Sequence, residues 1–268
     1  MVIIAMSNPY YLHCAYNLIL SLKAQDRLIP ITLVTDKVYD HLFDVQKFMI
    51  DHVVRLDGAN AFQIKTTLNK ISLYDRTLYL DADMIWNPAK SLDELFKELD
   101  GVPFTMANRG IVNGYYDWAD FTVFKAGTSI DTLYNLSSEF IYWEKGEVSD
   151  AVFNAAHEFY GNNSLVTRRL GNNEPDEPSF AVGVSCAEIT PHRVPYHPSY
   201  WAGNYQGKYT SQRDIQAQYY LVSMGGAYAD RQIVNLYERY ALIAGEKLGC
   251  EPFKYQQKRT AVKERANA

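Results

Sequence analysis

Two carboxylates stand two residues apart in Leu78-Tyr79-Leu80-Asp81-Ala82-Asp83-Met84, directly after a short apolar run. The run reads as a buried strand. In open α/β sheets ligands collect beyond the carboxyl ends of the strands, which is where these acids would stand. Continuing the strand pleat would turn Asp81 and Asp83 to the same side. Hard oxygen donors so placed suit Mg²⁺ or Mn²⁺. Such a cation neutralises the charge that builds on a departing diphosphate. An isolated Asp-x-Asp also serves as a solvated turn or a helix N-cap. The apolar strand immediately in front favours the chemical reading.

The elements that must position this pair follow from local pattern. Val2 to Ala5 is a buried strand. Asn8 stands as an N-cap and Pro9 as the first helical residue. Leu12, Ala15, Ile19 and Leu22 then recur at helical spacing. Ile31 to Val34 is a second strand, ending in Thr35 and Asp36. One helix is expected through Phe62, Ile64, Leu68 and Ile71, then the strand Leu78 to Leu80, then another over Val102 to Thr105. This alternation predicts an α/β fold with a Rossmann-like, mainly parallel sheet flanked by helices. Neither a G-x-G-x-x-G nor a Walker loop is present, so phosphates must be held another way.

Beyond residue 110 the pattern changes. Helices are expected over 129–144, where Ile130, Leu133, Phe140 and Ile141 recur, and over 150–160, with Ser149 as cap and Gly161 after it. Residues 161–210, rich in Gly, Asn, Pro and Tyr, read as long functional loops. Closing helices are expected over 211–221 and 230–248. We therefore divide the chain into an α/β half (1–110) that binds the nucleotide, a loop-rich half (111–250) for acceptor and catalysis, and a tail (251–268). From Lys254 onward the tail carries five basic residues against Glu264, a net of +4. It reads as a solvated end, or as a contact for an anionic acceptor or membrane surface.

Bulk composition narrows the classes. Hydrophobic residues make up 47% and charged residues 21% of the 268, which excludes a disordered chain. The net charge of −5 argues against a basic nucleic-acid-binding face. Cys14, Cys186 and Cys250 are too far apart for a zinc or redox motif. Their scarcity, the lack of a signal-like N-terminus and the lack of a run of about 20 apolar residues predict a soluble protein of a reducing cytoplasm, bacterial or virus-encoded. The 21 tyrosines and 4 tryptophans serve as core and surface filler or as stacking faces for sugars and bases.

The segment from Lys65 to Asp81 and Asp83 resembles the glycogenin-like and bacterial galactosyltransferase-like retaining enzymes of the GT-A fold. In those enzymes a nucleotide-side lysine precedes an aromatic-rich strand and an Asp-x-Asp at a similar spacing. The opening, Met6-Ser7-Asn8-Pro9-Tyr10, is similar to the family's base-cupping segment. The resemblance implies a metal-dependent glycosyltransferase that moves a sugar from a nucleotide-diphosphate donor, a UDP-sugar, with retention. It implies Mn²⁺ (or Mg²⁺) as cofactor. The acceptor stays open: glycan, protein, lipid head group or modified nucleic-acid base. On the donor side it implies Ser7, Asn8, Tyr10, Asp36, Lys65, Asp81, Ala82, Asp83 and Lys208. Tyr10 would stack on uracil and Lys65 would touch the donor.

Past residue 110 the resemblance is one of feature order. Asp176 and Glu177, within Glu174 to Phe180, correspond to the family's acid on the sugar side, and either one would face the sugar. The family closes with a His-to-Lys segment that supplies the third metal ligand. Its counterpart here is His197 to Lys208, with the longer spacing placing His192 beside His197 as an alternative ligand. A sugar nucleotidyltransferase and a non-catalytic carbohydrate-binding protein are the competing classes. The first normally has a glycine-rich loop after its first strand, where this chain has Ser7-Asn8-Pro9-Tyr10.

Overall fold

The computed structural model describes residues 1–5, 9–36, 49–56, 58, 60–112, 114–116, 119–127, 129–161, 174–193, 197–201, 212–224 and 231–254. In chain order these form β1 (Val2–Ala5), α1 (Pro9–Lys23), β2 (Thr32–Thr35), β3 (His52–Arg55), α2 (Ala61–Lys65), α3 (Leu68–Ile71), β4 (Arg76–Asp81), β5 (Met84–Trp86) and α4 (Leu92–Glu98). There follow β6 (Phe104–Ile111), β7 (Tyr115–Tyr116), β8 (Ala119–Asp120), α5 (Phe121–Gly127), β9 (Tyr134–Glu144), α6 (Glu147–Phe159) and α7 (Glu177–Cys186). The last are β10 (His197–Trp201), α8 (Gln212–Gln218), β11 (Tyr219–Ser223) and α9 (Arg231–Leu248).

The main sheet runs β3-β2-β1-β4-β9-β6. β1 is parallel to both β2 and β4, and β2 is parallel to β3. β9 alone runs antiparallel to its neighbours, β4 and β6. The strand order reverses between β1 and β4, which makes their carboxyl ends the switch point where α/β sheets bind ligands. A smaller sheet, β10-β11-β5, begins just after the acidic pair.

Alternation along β4 divides the core. Leu78 and Leu80 join Leu12, Ala15 and Ile19 of α1 and Leu92 and Leu95 of α4 on one face. Tyr79 joins Ile64, Leu68, Val152, Phe153, Phe180 and Val184 on the other. Helices thus cover both faces, as the sequence predicts. A third cluster packs α9 on β11 and β5 through Ile85, Val222, Leu236 and Tyr237. Among the described residues no helix is long and apolar enough to cross a membrane.

Several expected elements differ. The helix expected over 129–144 is largely the strand β9. It is buried on both faces, with Phe140 and Tyr142 in one core and Ile141 and Trp143 in the other. A strand buried on both faces shows no polar alternation, and Phe140 and Ile141 happen to continue a helical period from Ile130 and Leu133, which precede the strand. The loop expected over 161–210 contains α7, which is apolar all round and so shows no helical stripe. Gly183 lets α7 approach α6 closely: a Cβ there would stand 2.4 Å from the Val152 carbonyl oxygen. The helix expected over 211–221 stops at Gln218, and Tyr219 to Ser223 is a strand. α6 begins at Glu147, so Ser149 lies inside its first turn, donating to Glu144 O at 2.6 Å.

The single helix expected through 62–71 breaks in two. Thr66 Oγ1 donates to Gln63 O at 2.7 Å and Thr67 Oγ1 to Ile64 O at 2.9 Å, local bonds that compete with helix continuation. Asn60 caps the start of α2 by accepting from Phe62 N. The break leaves Lys65 as the last residue of α2, turned into the protein beneath the end of β4.

Candidate active site

Asp81 is the last residue of β4 and Asp83 follows after one residue of turn. Tyr79 and Asp81 share a face of the strand, two residues apart, and the Tyr79 hydroxyl donates to Asp81 Oδ1. The Lys65 ammonium meets the same oxygen at 2.8 Å. It also donates to Ser138 Oγ at 3.1 Å and stands 3.7 Å from Asp176 Oδ2. The Lys65 side chain is only 7% exposed, against 30% for Asp81. A lysine so buried requires paired charges. Burial works against the ammonium, but Asp176 and Asp81 outweigh it and hold its pKa well above the ordinary lysine range. Lys65 thus hydrogen-bonds Ser138 and Asp81 and sets its charge beside Asp176, so its ammonium is engaged inside the protein.

Asp83 is buried at 8% exposure, and its carbonyl accepts from Met224 N at 3.0 Å, which ties the acidic turn to the end of β11. Its charge reaches the amino-terminal half of α1. Burial first, then Asp83, pushes the Cys14 thiol up to about 12. The Tyr11 hydroxyl is pushed up by burial, then Asp83, then Asp81, so it stands within range of both acids. Tyr10 is half-buried beside it, with the two rings edge-on at 5.2 Å. Asp36 is buried immediately past β2. Ala82 is packed in the core under the turn.

Asp176 and Glu177 open α7, whose N-terminus favours negative charge. Asp176 is fully buried. Neither of its oxygens has a hydrogen-bond partner among the described residues, nor has Glu177 Oε2 or Ser179 Oγ. Burial raises the Asp176 pKa against the pull of Lys65, with the Asp81 charge adding to the rise. Glu177 as a residue is half-buried, but its Oε2 is out of reach of water. Burial, then the Asp176 charge, pushes Glu177 up to about 8.

The structure thus brings together Lys65, Asp81, Asp176 and Glu177, with Ala82 and Asp83 in the turn that follows Asp81; Tyr10 lies in the first turn of α1 and Asp36 just past β2. Ser7, Asn8 and Lys208 lie outside the described residues. The two candidate histidines lie in different parts of the fold. In the small sheet Trp201 pairs with Ser223, which pairs with Met84, whereas His197 pairs with Tyr219. Trp201 is therefore level with the acidic turn, and the His197 backbone lies four residues back along β10, roughly 13 Å at the strand rise. His192 is elsewhere again. Its Nε2 donates to Glu98 at 3.1 Å, and its carbonyl accepts from Thr105 at the start of β6, the opposite end of the sheet from Asp81. Among the described residues no group of three metal-ligating side chains stands together.

Asp81 and Asp83 still fit a hard divalent cation in donor type. Asp81 Oδ1 is occupied by Lys65 and Tyr79, while the side chain stays partly open to solvent. One or two carboxylates, completed by water and substrate phosphate, is how Mg²⁺ is usually held. Sequence reasoning missed Tyr79, Ser138 and Tyr11. Tyr79 had a signal, a phenol two residues before an aspartate on the same strand face. Ser138 had none, because its segment reads as helix.

The overall fold is similar to that of solved glycosyltransferase structures. Glycosyltransferase GlyE of Streptococcus pneumoniae TIGR4 aligns over 95% of this chain with a TM-score of 0.56 and 13% identity. The bifunctional glycosyltransferase WbbM aligns over 92% with a TM-score of 0.57 and 10% identity. The galactosyltransferase LgtC, solved with donor and acceptor sugar analogues, aligns over 92% with a TM-score of 0.54 and 14% identity. The fold is GT-A. The chain spans 65% of GlyE and 51% of WbbM, but 96% of LgtC. No family model and no curated protein matches the sequence. At these identities the likeness is one of GT-A architecture, and activity has to be argued from the site.

Proposed function

We propose that this chain is a metal-dependent glycosyltransferase that moves a sugar from a UDP-sugar to an acceptor hydroxyl with retention. The observation that carries the reading is the paired aspartates at the switch point of a GT-A sheet, held from beneath by a buried lysine and faced by a second pair of acids. Asp81 and Asp83 would hold a Mn²⁺ or Mg²⁺ ion, which when bound supplies positive charge to the departing diphosphate. The chain's own residues do the rest. Lys65 fixes one oxygen of Asp81 and balances Asp176. The first turn of α1, with Tyr10 and Tyr11, offers the positive end of a helix dipole and aromatic faces to an anionic nucleotide.

Glu177 is the acid of α7 that faces the sugar in this reading, since Asp176 is fully buried and engaged with Lys65. Held protonated near neutral pH, Glu177 would donate a hydrogen bond to a sugar or acceptor hydroxyl. Calorimetric titration with UDP, with and without Mn²⁺, followed by a screen of UDP-sugars for slow hydrolysis, tests the proposal. It expects metal-dependent UDP binding and preferential hydrolysis of one sugar. Failure to bind any nucleoside diphosphate would leave Asp81 and Asp83 as a structural turn.

A further inference from the structure

Tyr79 is a buried phenol in a place where phenylalanine would pack as well. It is 1% exposed and lies in an apolar cluster with Phe104, Ile141, Trp143 and Phe153. A hydroxyl buried among such neighbours is unfavourable unless it finds an acceptor. The acceptor is Asp81 Oδ1, two residues along the same strand face. Lys65 meets the same oxygen from α2, and its ammonium lies 5.2 Å from the centre of the Tyr79 ring. Two donors from different elements therefore converge on one oxygen of one carboxylate. That arrangement restrains the side-chain torsions of Asp81, and both contacts are made through Oδ1.

We infer that Tyr79 is a positioning residue for Asp81, holding Oδ1 so that Oδ2 is presented to a bound divalent cation. The inference rests on the metal-dependent reading proposed above. Lys65 grips Asp81 too, but it is shared with Ser138 and Asp176 and so follows changes at α7. The Tyr79 hydroxyl belongs to β4 itself and is neutral. It orients the carboxylate without placing a second positive charge beside the cation. Partners that orient a ligating carboxylate typically change metal affinity by 10–100-fold when lost.

The test is Tyr79→Phe, which keeps the ring and its packing and removes only the oxygen. Free Mn²⁺ is followed by electron paramagnetic resonance during titration of wild type and variant, with and without UDP. Thermal unfolding is measured on the same samples. The expected result is an apparent Mn²⁺ Kd raised about tenfold in the variant, an unfolding temperature near that of wild type, and UDP-sugar hydrolysis that recovers toward wild type at saturating Mn²⁺. A variant that binds Mn²⁺ within twofold of wild type overturns the inference and leaves the proposed function standing. A lowered unfolding temperature with unmoved Mn²⁺ affinity shows the hydroxyl to be structural only, and also overturns it. A wild-type protein that binds no Mn²⁺ removes the metal-dependent reading itself and the role of Tyr79 with it.

Discussion

Replacing Glu177 by glutamine should change how stability depends on pH, in a direction the structure fixes. Folded Glu177 titrates at about 8, because its carboxyl is buried and sits beside Asp176. In the unfolded chain a glutamate titrates at roughly 4.3. Between these values the folded state keeps the proton and the unfolded state has released it, so stability falls as pH rises and levels off above about 8. The full slope is about 1.4 kcal/mol per pH unit, or ~2.7 kcal/mol from pH 5.5 to 7.5. The residue as a whole is only half-buried, so solvent screening reduces this to about 1–2 kcal/mol. For a domain of this size that is a fall of roughly 3–6 °C in unfolding temperature. The neutral amide has the same shape and no such titration. Urea or thermal unfolding of both proteins at pH 5.5, 6.5, 7.5 and 8.5 and constant ionic strength should show Glu177→Gln gaining on wild type with each step up to about pH 8. Parallel profiles would refute the burial argument. A wild type that gains on the variant as pH rises would mean that Glu177 is ionised in the fold and paired with Lys65.

Other perturbations bear on the same site. Asp83→Asn should abolish UDP-sugar hydrolysis while leaving far-UV circular dichroism unchanged, and full activity would rule out a metal at this turn. Lys65→Met leaves the buried Asp176 without its counter-charge and should destabilise by about 3 kcal/mol in urea unfolding; a neutral effect would show that Asp176 does not depend on it. Gly183→Ala drives a Cβ to 2.4 Å from the Val152 carbonyl and should cost about 1–3 kcal/mol by forcing α7 from α6. Equal stability in that variant would contradict the close helix contact.

Legibility in the sequence follows burial. β1, β2 and β4 are built on short apolar runs, and β2 and β4 end in polar residues, so their positions and the place of Asp81 and Asp83 at a carboxyl end can be read directly. α1 is equally plain, with Pro9 at its first position and a regular apolar stripe. β9 and α7 are illegible for one shared reason. Each is surrounded by protein, so neither shows a polar face, and periodicity has nothing to report. The acids at 176–177 could be named only through family order, and their burial follows from the unseen α7. Lys65 could be named the same way, but its inward turn depends on the Thr66–Thr67 break in the helix. The place of the His197 backbone, four residues along β10 from the level of the acids, is set by strand register, which sequence spacing does not encode.

The position of β9 also dictates an order of assembly. β4 meets β9 across roughly sixty residues of chain, and β6 joins the main sheet only through β9. A chain growing from its amino end therefore makes β6 before the strand that will attach it exists. Until residue 144 is available, β4 is an open edge beside its own pair of acids, the kind of edge that invites pairing with other chains. Such distant strand pairings make folding slow. The nucleotide-side residues thus come to rest only when a strand from the other half of the chain is threaded between two from the first, so a shortened protein ending near residue 110 should aggregate instead of binding nucleotide.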